Sequence, residues 1–426
     1  MSEDLSPAAV IGLGRIGLPL AAQFASKGLP VAGCDIDAAL VARVAAGACP
    51  YEDEDGLEPL LKTAHDAGLF SATTDTAATV AESAVIVIIV PVGLTAEQRP
   101  DFSALDAAAR AIAPRLRRGS LVVLETTVPV GTTRRRLGPL LEAGGLKAGR
   151  DFALAYSPER VYVGRVLADL RRYPKIVGGI DAESTRRAVT FYQRALDATV
   201  TPVASCETAE FVKLAETTYR DVNIALANEL ARAADDLGVD VTEAIAAANS
   251  QPFSHIHQPG VGVGGHCIPV YPRFLLENAP AMSLPRTARE TNDGMAGYAA
   301  EKLSRALGGL SGKTVLILGL SYRPNVKEAA YSSTFALARE LSAAGARVLV
   351  HDPYFSDAEV RALGLQPPPA FPPPQVDAVV VQALHDQYRG LDPASFRGCS
   401  VVLDGRNALR REPIEAAGLR YLGIGR

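Results

Sequence analysis

The chain has 426 residues, 48% of them hydrophobic, and a formal net charge of −4. The length predicts two or three domains, and the apolar fraction excludes wholesale disorder. Charge this close to neutral, with no long block of one sign, argues against a nucleic-acid-binding or membrane-surface protein. The opening "MSEDLSPAA" is acidic and lacks the basic and apolar regions of a secretory leader.

Taken in chain order, "AAVIGLG" reads as a strand ending in glycines, and "LPLAAQFASKG" as a helix that stops at Gly28. "PVAGCDID" is the next strand. "SAVIVIIVP" and "SLVVLETT" follow as buried strands, and "DFSALDAAARAIAPRL" is a helix with Asp101 expected as its N-cap. The apolar run "AVIVIIV" is too short to cross a membrane, which takes about 20 residues. Strands alternating with helices to about residue 200 predict a parallel sheet covered on both faces.

"VIGLGRIGLPLA" carries G-x-G-x-x-G as Gly12, Gly14 and Gly17, with Arg15 and Ile16 between. Following a strand and opening a helix, that pattern predicts a dinucleotide pyrophosphate held by backbone amides at a positive helix end. Asp35 ends the second strand, where a carboxylate accepts from ribose hydroxyls and repels a 2′-phosphate. NAD is therefore expected over NADP.

Ser205–Gly238 has no internal Gly or Pro and predicts one long helix, spanning some 45 Å at about 1.5 Å per residue. Such a helix is a natural bridge between domains or a dimer surface. "GKTVLILGLSYRP" (Gly312–Pro324) repeats the strand-and-glycine theme without the third glycine, before a helix ("STFALARELSAAG") and a strand ("RVLVHDP"). "QPPPAFPPPQ" (Gln366–Gln375) is expected to be a stiff surface connection. The expected domains are 1–203 (NAD-binding, Rossmann), 204–305 (central, helical) and 306–426 (nucleotide-sugar-binding), an α/β architecture of two Rossmann-like doubly wound domains joined by a long central helix.

Five cysteines, at 34, 49, 206, 267 and 399, show no CxxC and no His at ligand spacing. Neither a disulfide framework nor a metal site is expected, and the expected location is the reducing cytoplasm. Cys267 lies in "GVGGHCIPVYP" (Gly262–Pro272), where a lone Cys is ordinarily a small buried hydrophobe.

Several segments in order change that. "IGLGRIGLPLA", "ETTVPVGTT" (Glu125–Thr133), "YSPERV" (Tyr156–Val161), "FVKLAETTYRDVNIALANE" (Phe211–Glu229), "GVGGHCIPVYP" and "LILGLSYRPNVKE" together resemble the nucleotide-sugar 6-dehydrogenase family, which includes UDP-glucose, UDP-N-acetylhexosamine and GDP-mannose dehydrogenases. The resemblance covers about residues 9 to 410. "TYRDVNIALANE" with "GGHCIPV" is most similar to the branch acting on UDP-N-acetyl-mannosamine or UDP-N-acetyl-glucosamine.

The resemblance implies a homodimer built on the long helix, and oxidation of a primary alcohol at C6 to a carboxylate with two NAD, through a thiohemiacetal and a thioester. It implies Cys267 as nucleophile, Lys213 as the group that meets the oxyanion, and Glu159 as general base for thioester hydrolysis. It implies Thr127 as holder of a catalytic water near the cofactor. Arg220, Asn223, Gly264, Gly265, Tyr271 and Arg323 carry over as substrate-side residues. By itself Lys213 reads as a solvated helix lysine. His266 is adjacent to Cys267, and adjacent side chains usually point apart, so it is not expected to be the base.

The chain departs from the family pattern at several places. Tyr271 stands for an aspartate that partners the Thr-bound water, and Thr217 for an asparagine that helps hold the oxyanion. Ala330 stands for an arginine, Arg323 for a lysine, Val92 and Gly93 replace a Thr-Pro, and Phe253 an arginine. Three readings stay open: a sub-branch with compensating residues, a two-electron oxidation of an unusual nucleotide sugar, and binding without catalysis. A non-covalent hydroxy-acid-type dehydrogenase is a further alternative.

Overall fold

The computed structural model describes residues 5–426. Met1–Asp4, part of the opening stretch read above for a leader, lie outside the described residues. The chain divides into two compact units. The first is 1–216 with 273–280, and the second is 217–272 with 281–426. The expected long helix is present as Cys206–Leu237, and the division falls inside it.

In the first unit Ala8–Ile11 is an inner strand of an eight-stranded sheet. It is flanked by Val31–Cys34 then Phe70–Thr73 on one side. On the other come Val85–Ile88, Leu121–Leu124, Ala153–Tyr156, Lys175–Gly179 and Val200–Pro202. The strands AAVI, VIVI, LVVL and ALAY are buried along their whole length, as helices on both faces require. The helix Gly17–Ser26 buries Leu18, Leu20, Ala21 and Phe24, and Phe24 meets Phe191 edge to face at 5.2 Å.

The sheet is not wholly parallel. Lys175–Gly179 runs antiparallel to Ala153–Tyr156. The connection between these strands carries only the seven-residue helix Val166–Arg172 and returns without crossing back along the sheet. Asp101 is also not the cap of the next helix. It closes a two-stranded ribbon with Gly93–Leu94 and accepts from Ser103 N and Oγ, while the helix begins at Ser103.

In the second unit a five-stranded parallel sheet is ordered Arg347–His351, Thr314–Leu318, Ala378–Val381, Val401–Asp404, Arg420–Gly423. Its core joins Val315, Ile317 and Leu337 to Ala227 and Ala231 of the long helix and to Met295, Ala296 and Ala299 of the helix Ser283–Leu307. The proline-rich stretch is more than a surface strap. Pro367, Pro368 and Pro373 are buried, and Phe371 stacks on His351 at 3.7 Å.

Candidate active site

The glycine turn of the first unit has the shape a dinucleotide needs. A Cβ on Gly17 would lie 1.9 Å from the carbonyl oxygen of Gly12, so only glycine lets the helix start this close to the strand end. A Cβ on Gly14 would meet open space, so the backbone there is accessible. Asp35 accepts from Leu13 N at 2.8 Å with one oxygen and from Asp37 N at 3.0 Å with the other, which fixes the carboxylate beside the turn. Arg15 is bound to Asp53 at 2.6 Å and lies over the Tyr51 ring. Ile16 is half-buried against the core. The exposed amides, helix start and placed carboxylate fit NAD and oppose a 2′-phosphate.

Two of the expected catalytic residues come together in this unit. The Lys213 ammonium donates to the main-chain carbonyl of Glu159 at 2.6 Å and faces its carboxylate at 3.1 Å. Lys213 is only 6% exposed, which overturns the solvated-lysine reading. One turn earlier on the same helix, Glu210 accepts from Gly131 N, Thr133 N and Thr133 Oγ1, and burial pushes its carboxyl up to about 7. These bonds tie the start of the long helix to the segment after Thr127.

Thr127 is buried beside the Tyr156 phenol, and among the described residues its hydroxyl has no partner at good hydrogen-bonding geometry. A buried orphan hydroxyl at a strand end suits a held water. Its neighbour Thr126 donates instead to Val90 O. Beneath, Lys175 is paired with Glu125 at 2.6 Å, and Tyr192 donates to the other Glu125 oxygen at 2.5 Å. Glu159 N donates to Glu125 O at 3.3 Å. Sequence reading missed Glu125, Lys175 and Glu210. Charged residues capping otherwise apolar strands were the available signal for the first two.

In the second unit, Cys267 is half-buried in its glycine turn. Its carbonyl accepts from Val270 N and from Tyr271 N, the residue opening the helix Tyr271–Asn278. The other four cysteines have thiols pushed up by burial, Cys206 to about 12, which makes them inert. His266 does not serve Cys267. Its Nε2 lies 3.3 Å from Glu328, and its ring meets Tyr331 edge to face.

The turn is docked on the segment that departs from the family pattern. Gly265 N donates to Ala330 O at 3.0 Å, and a Cβ on Gly265 would lie 2.9 Å from the Tyr322 ring. Gly264 is similarly covered by Tyr322 and Tyr331. Arg323 Nε donates to the Tyr322 hydroxyl. Thr217 is buried. Phe253 is 92% exposed.

Asn223 spends its amide on the main chain, donating to His255 O and accepting from His257 N, each at 2.8 Å. That is a brace for the 255–257 segment. Arg220 lies close enough to His257 to help lower that imidazole, after burial, which is the larger cause.

The second glycine turn differs from the first. Asp352 is buried and accepts from Leu320 N, Ser321 N, Ser321 Oγ and His385 Nε2 at 2.8–2.9 Å. The acid that would meet a ribose in a dinucleotide site is consumed internally. Arg406 is held by Gln382 O, Gly262 O and Ser333 Oγ, and burial lowers its guanidinium to about 10.

Among the described residues no His, Cys, Asp and Glu group is arranged to hold a metal ion, and no helix is long and apolar enough to cross a membrane.

Comparison with known proteins bears on all of this. Residues 7–196 match the NAD-binding domain of the UDP-glucose/GDP-mannose dehydrogenase family, 207–294 its central domain, and 316–411 its UDP-binding domain. The chain is 35% identical to UDP-N-acetyl-D-mannosamine dehydrogenase of Pyrococcus horikoshii, covering 98% of this chain and 99% of that protein. It is also 35% identical to an NDP-N-acetyl-D-galactosaminuronic acid dehydrogenase of Ralstonia solanacearum, covering 95% and 96%. A solved structure of UDP-D-ManNAc dehydrogenase from Pyrococcus horikoshii superposes with a TM-score of 0.88 at 34% identity, over 98% of this chain and 99% of that one. The chain belongs to the UDP-glucose/GDP-mannose dehydrogenase family of NAD-dependent oxidoreductases.

Proposed function

We propose that this enzyme oxidises C6 of a UDP-N-acetylhexosamine to the uronic acid, reducing two NAD and carrying the acyl group on Cys267. The observation that supports this best is the buried Lys213–Glu159 pair, because a lysine kept out of water beside a carboxylate is suited to charge that develops and collapses during reaction. The names of the relatives, one a manno and one a galacto 2-acetamido sugar enzyme, favour an N-acetylated hexosamine. We assign 1–203 to the cofactor, 204–305 to the central helical part and 306–426 to the nucleotide of the sugar.

Bound NAD supplies a hydride acceptor for each of the two oxidations. The residues do the rest. Lys213 faces the oxygen of C6 as its proton leaves. The Cys267 thiolate then adds to the aldehyde carbon: a C–S bond forms and the carbonyl electron pair moves to oxygen, again facing Lys213. Loss of the second hydride leaves a thioester. Glu159 takes a proton from water as that water adds to the acyl carbon, and the C–S bond breaks with the thiolate leaving. Thr127 holds water on the cofactor side. The Tyr271 hydroxyl takes over the water contact that the family gives to an aspartate. Gly12, Gly14, Arg15, Ile16, Gly17 and Asp35 hold the dinucleotide. Arg220, Gly264, Gly265 and Arg323 serve the sugar nucleotide, with Asn223 bracing.

The test is a panel of UDP- and GDP-sugars with NAD, reading NADH per sugar and product mass. Two NADH with a uronic acid from a UDP-N-acetylhexosamine supports the proposal. One NADH with an aldehyde or ketone product overturns it in favour of the two-electron reading that Tyr271, Thr217 and Ala330 raise.

The assembly we propose is a homodimer. On the long helix Tyr219, Leu226, Leu230 and Leu237 are exposed at spacings of seven, four and seven, a continuous apolar stripe. A stable monomer by sedimentation at micromolar concentration overturns that assignment. Five free cysteines suit a reducing compartment, the cytoplasm.

A further inference from the structure

The turn that carries Cys267 is clamped at both ends by one buried chain of side chains in the second unit. At its start Gly260 N donates to Asn228 Oδ1 at 2.9 Å. Asn228 Nδ2 donates to Asn292 Oδ1 at 2.8 Å, and Asn292 Nδ2 donates to Asp221 Oδ1 at 2.7 Å and to Asp221 O at 3.0 Å. Arg289 Nη1 lies 3.2 Å from the same Asp221 oxygen. At the far end Arg289 Nη1 donates to the carbonyl of Ile268, the residue after Cys267, at 3.1 Å. Its Nη2 donates to Asp293 at 3.1 Å. Asn228 and Asp221 are 0%, Asn292 2% and Arg289 3% exposed.

An ion pair this deeply buried adds little net stability over apolar residues of the same size. What it contributes is direction: a fixed guanidinium holds the peptide next to the thiol in one orientation. Leu or Met in its place would pack, yet would leave the Ile268 carbonyl without this donor.

We propose that Arg289, fixed by Asp221, is a positioning residue for Cys267: by holding the Ile268 carbonyl it sets the direction in which the thiol meets the aldehyde. The inference rests on the reading of Cys267 as nucleophile. It places the effect on the cysteine-dependent second oxidation and not on the first.

The test uses the full-length enzyme with the double variant Asp221→Asn/Arg289→Met, which leaves no unpaired buried charge and keeps an acceptor for Asn292. Arg289→Lys is the second variant, for use if the first does not fold. Two rates and one stoichiometry are read: the first burst of NADH, alkylation of Cys267 by iodoacetamide with Cys267→Ala as blank, and NADH per sugar with an aldehyde-trapping hydroxylamine present. The expected result is a first burst within about twofold of the parent, alkylation changed about tenfold, and NADH per sugar falling from two toward one. Arg289→Lys recovers part of the loss. Unchanged alkylation and stoichiometry, or equal losses in both oxidations, overturn the inference. Two NADH per sugar from Cys267→Ala overturns the nucleophile reading itself, and this inference with it. That outcome is separate from a failure confined to Arg289.

Discussion

Lys213 holds Glu159 by two atoms at once, donating to its main-chain oxygen at 2.6 Å while lying 3.1 Å from its carboxylate. The ammonium is thus located by a group that cannot swing away, and the second carboxylate oxygen is oriented by Val161 N at 3.2 Å. Lys213→Ala is expected to lower kcat by about 10²–10³-fold through loss of oxyanion stabilisation. It also strands the Glu159 carboxylate in the interior, so thermal unfolding should move down. Steady-state rates and a melting curve check both, and a kcat within threefold of the parent refutes the assignment.

Glu159→Gln separates the chemistry of the two halves. Both oxidations run, but water is no longer deprotonated, so hydrolysis slows by about 10²–10⁴-fold and the acyl group stays on Cys267. Intact-protein mass after one turnover should show the added sugar-nucleotide acyl mass. Its absence, with turnover retained, removes Glu159 from the base role.

Asp35→Asn tests the cofactor end. It keeps an acceptor for Leu13 N and removes the charge, so NAD binding should weaken by about tenfold, and NADP should gain relative to NAD. KM for the two cofactors decides, and an unchanged ratio contradicts the ribose assignment.

Tyr271→Phe removes only the hydroxyl offered here in place of the family's aspartate. A fall in kcat of about tenfold with little change in KM is expected. Turnover equal to the parent leaves the water with another partner.

Glu210 makes stability depend on pH in a stated sense. Its folded carboxyl is raised to about 7 by burial, above its unfolded value, so the unfolded chain loses this proton first as pH rises. The folded state therefore loses stability between about pH 4.5 and 7 and levels above that, a contribution of about 3 kcal/mol. Denaturant titrations of parent and Glu210→Gln should differ in slope across this window. Parallel curves argue against a titrating Glu210.

Much of this was legible before folding. The glycine spacing and Asp35 placed the cofactor turn because both obey local geometry. The long helix was legible because Cys206–Leu237 has no breaker. What was not legible depends on tertiary burial. Arg289 and Asp293 lie four apart on one helix, yet Arg289 is buried against Asp221, 68 positions earlier, and the carbonyl of Ile268, 21 positions earlier. Lys213 looked solvated for the same reason. The reversal of Lys175–Gly179 was hidden because a strand carries the same apolar pattern in either direction.

One anchor of the cysteine turn is made by main chain alone: Gly265 N to the carbonyl of Ala330. Any residue other than proline offers the same carbonyl with little change of backbone. The absence of an arginine side chain at 330 therefore leaves this fastening intact. A substitution library there should leave the turn beneath it where it is.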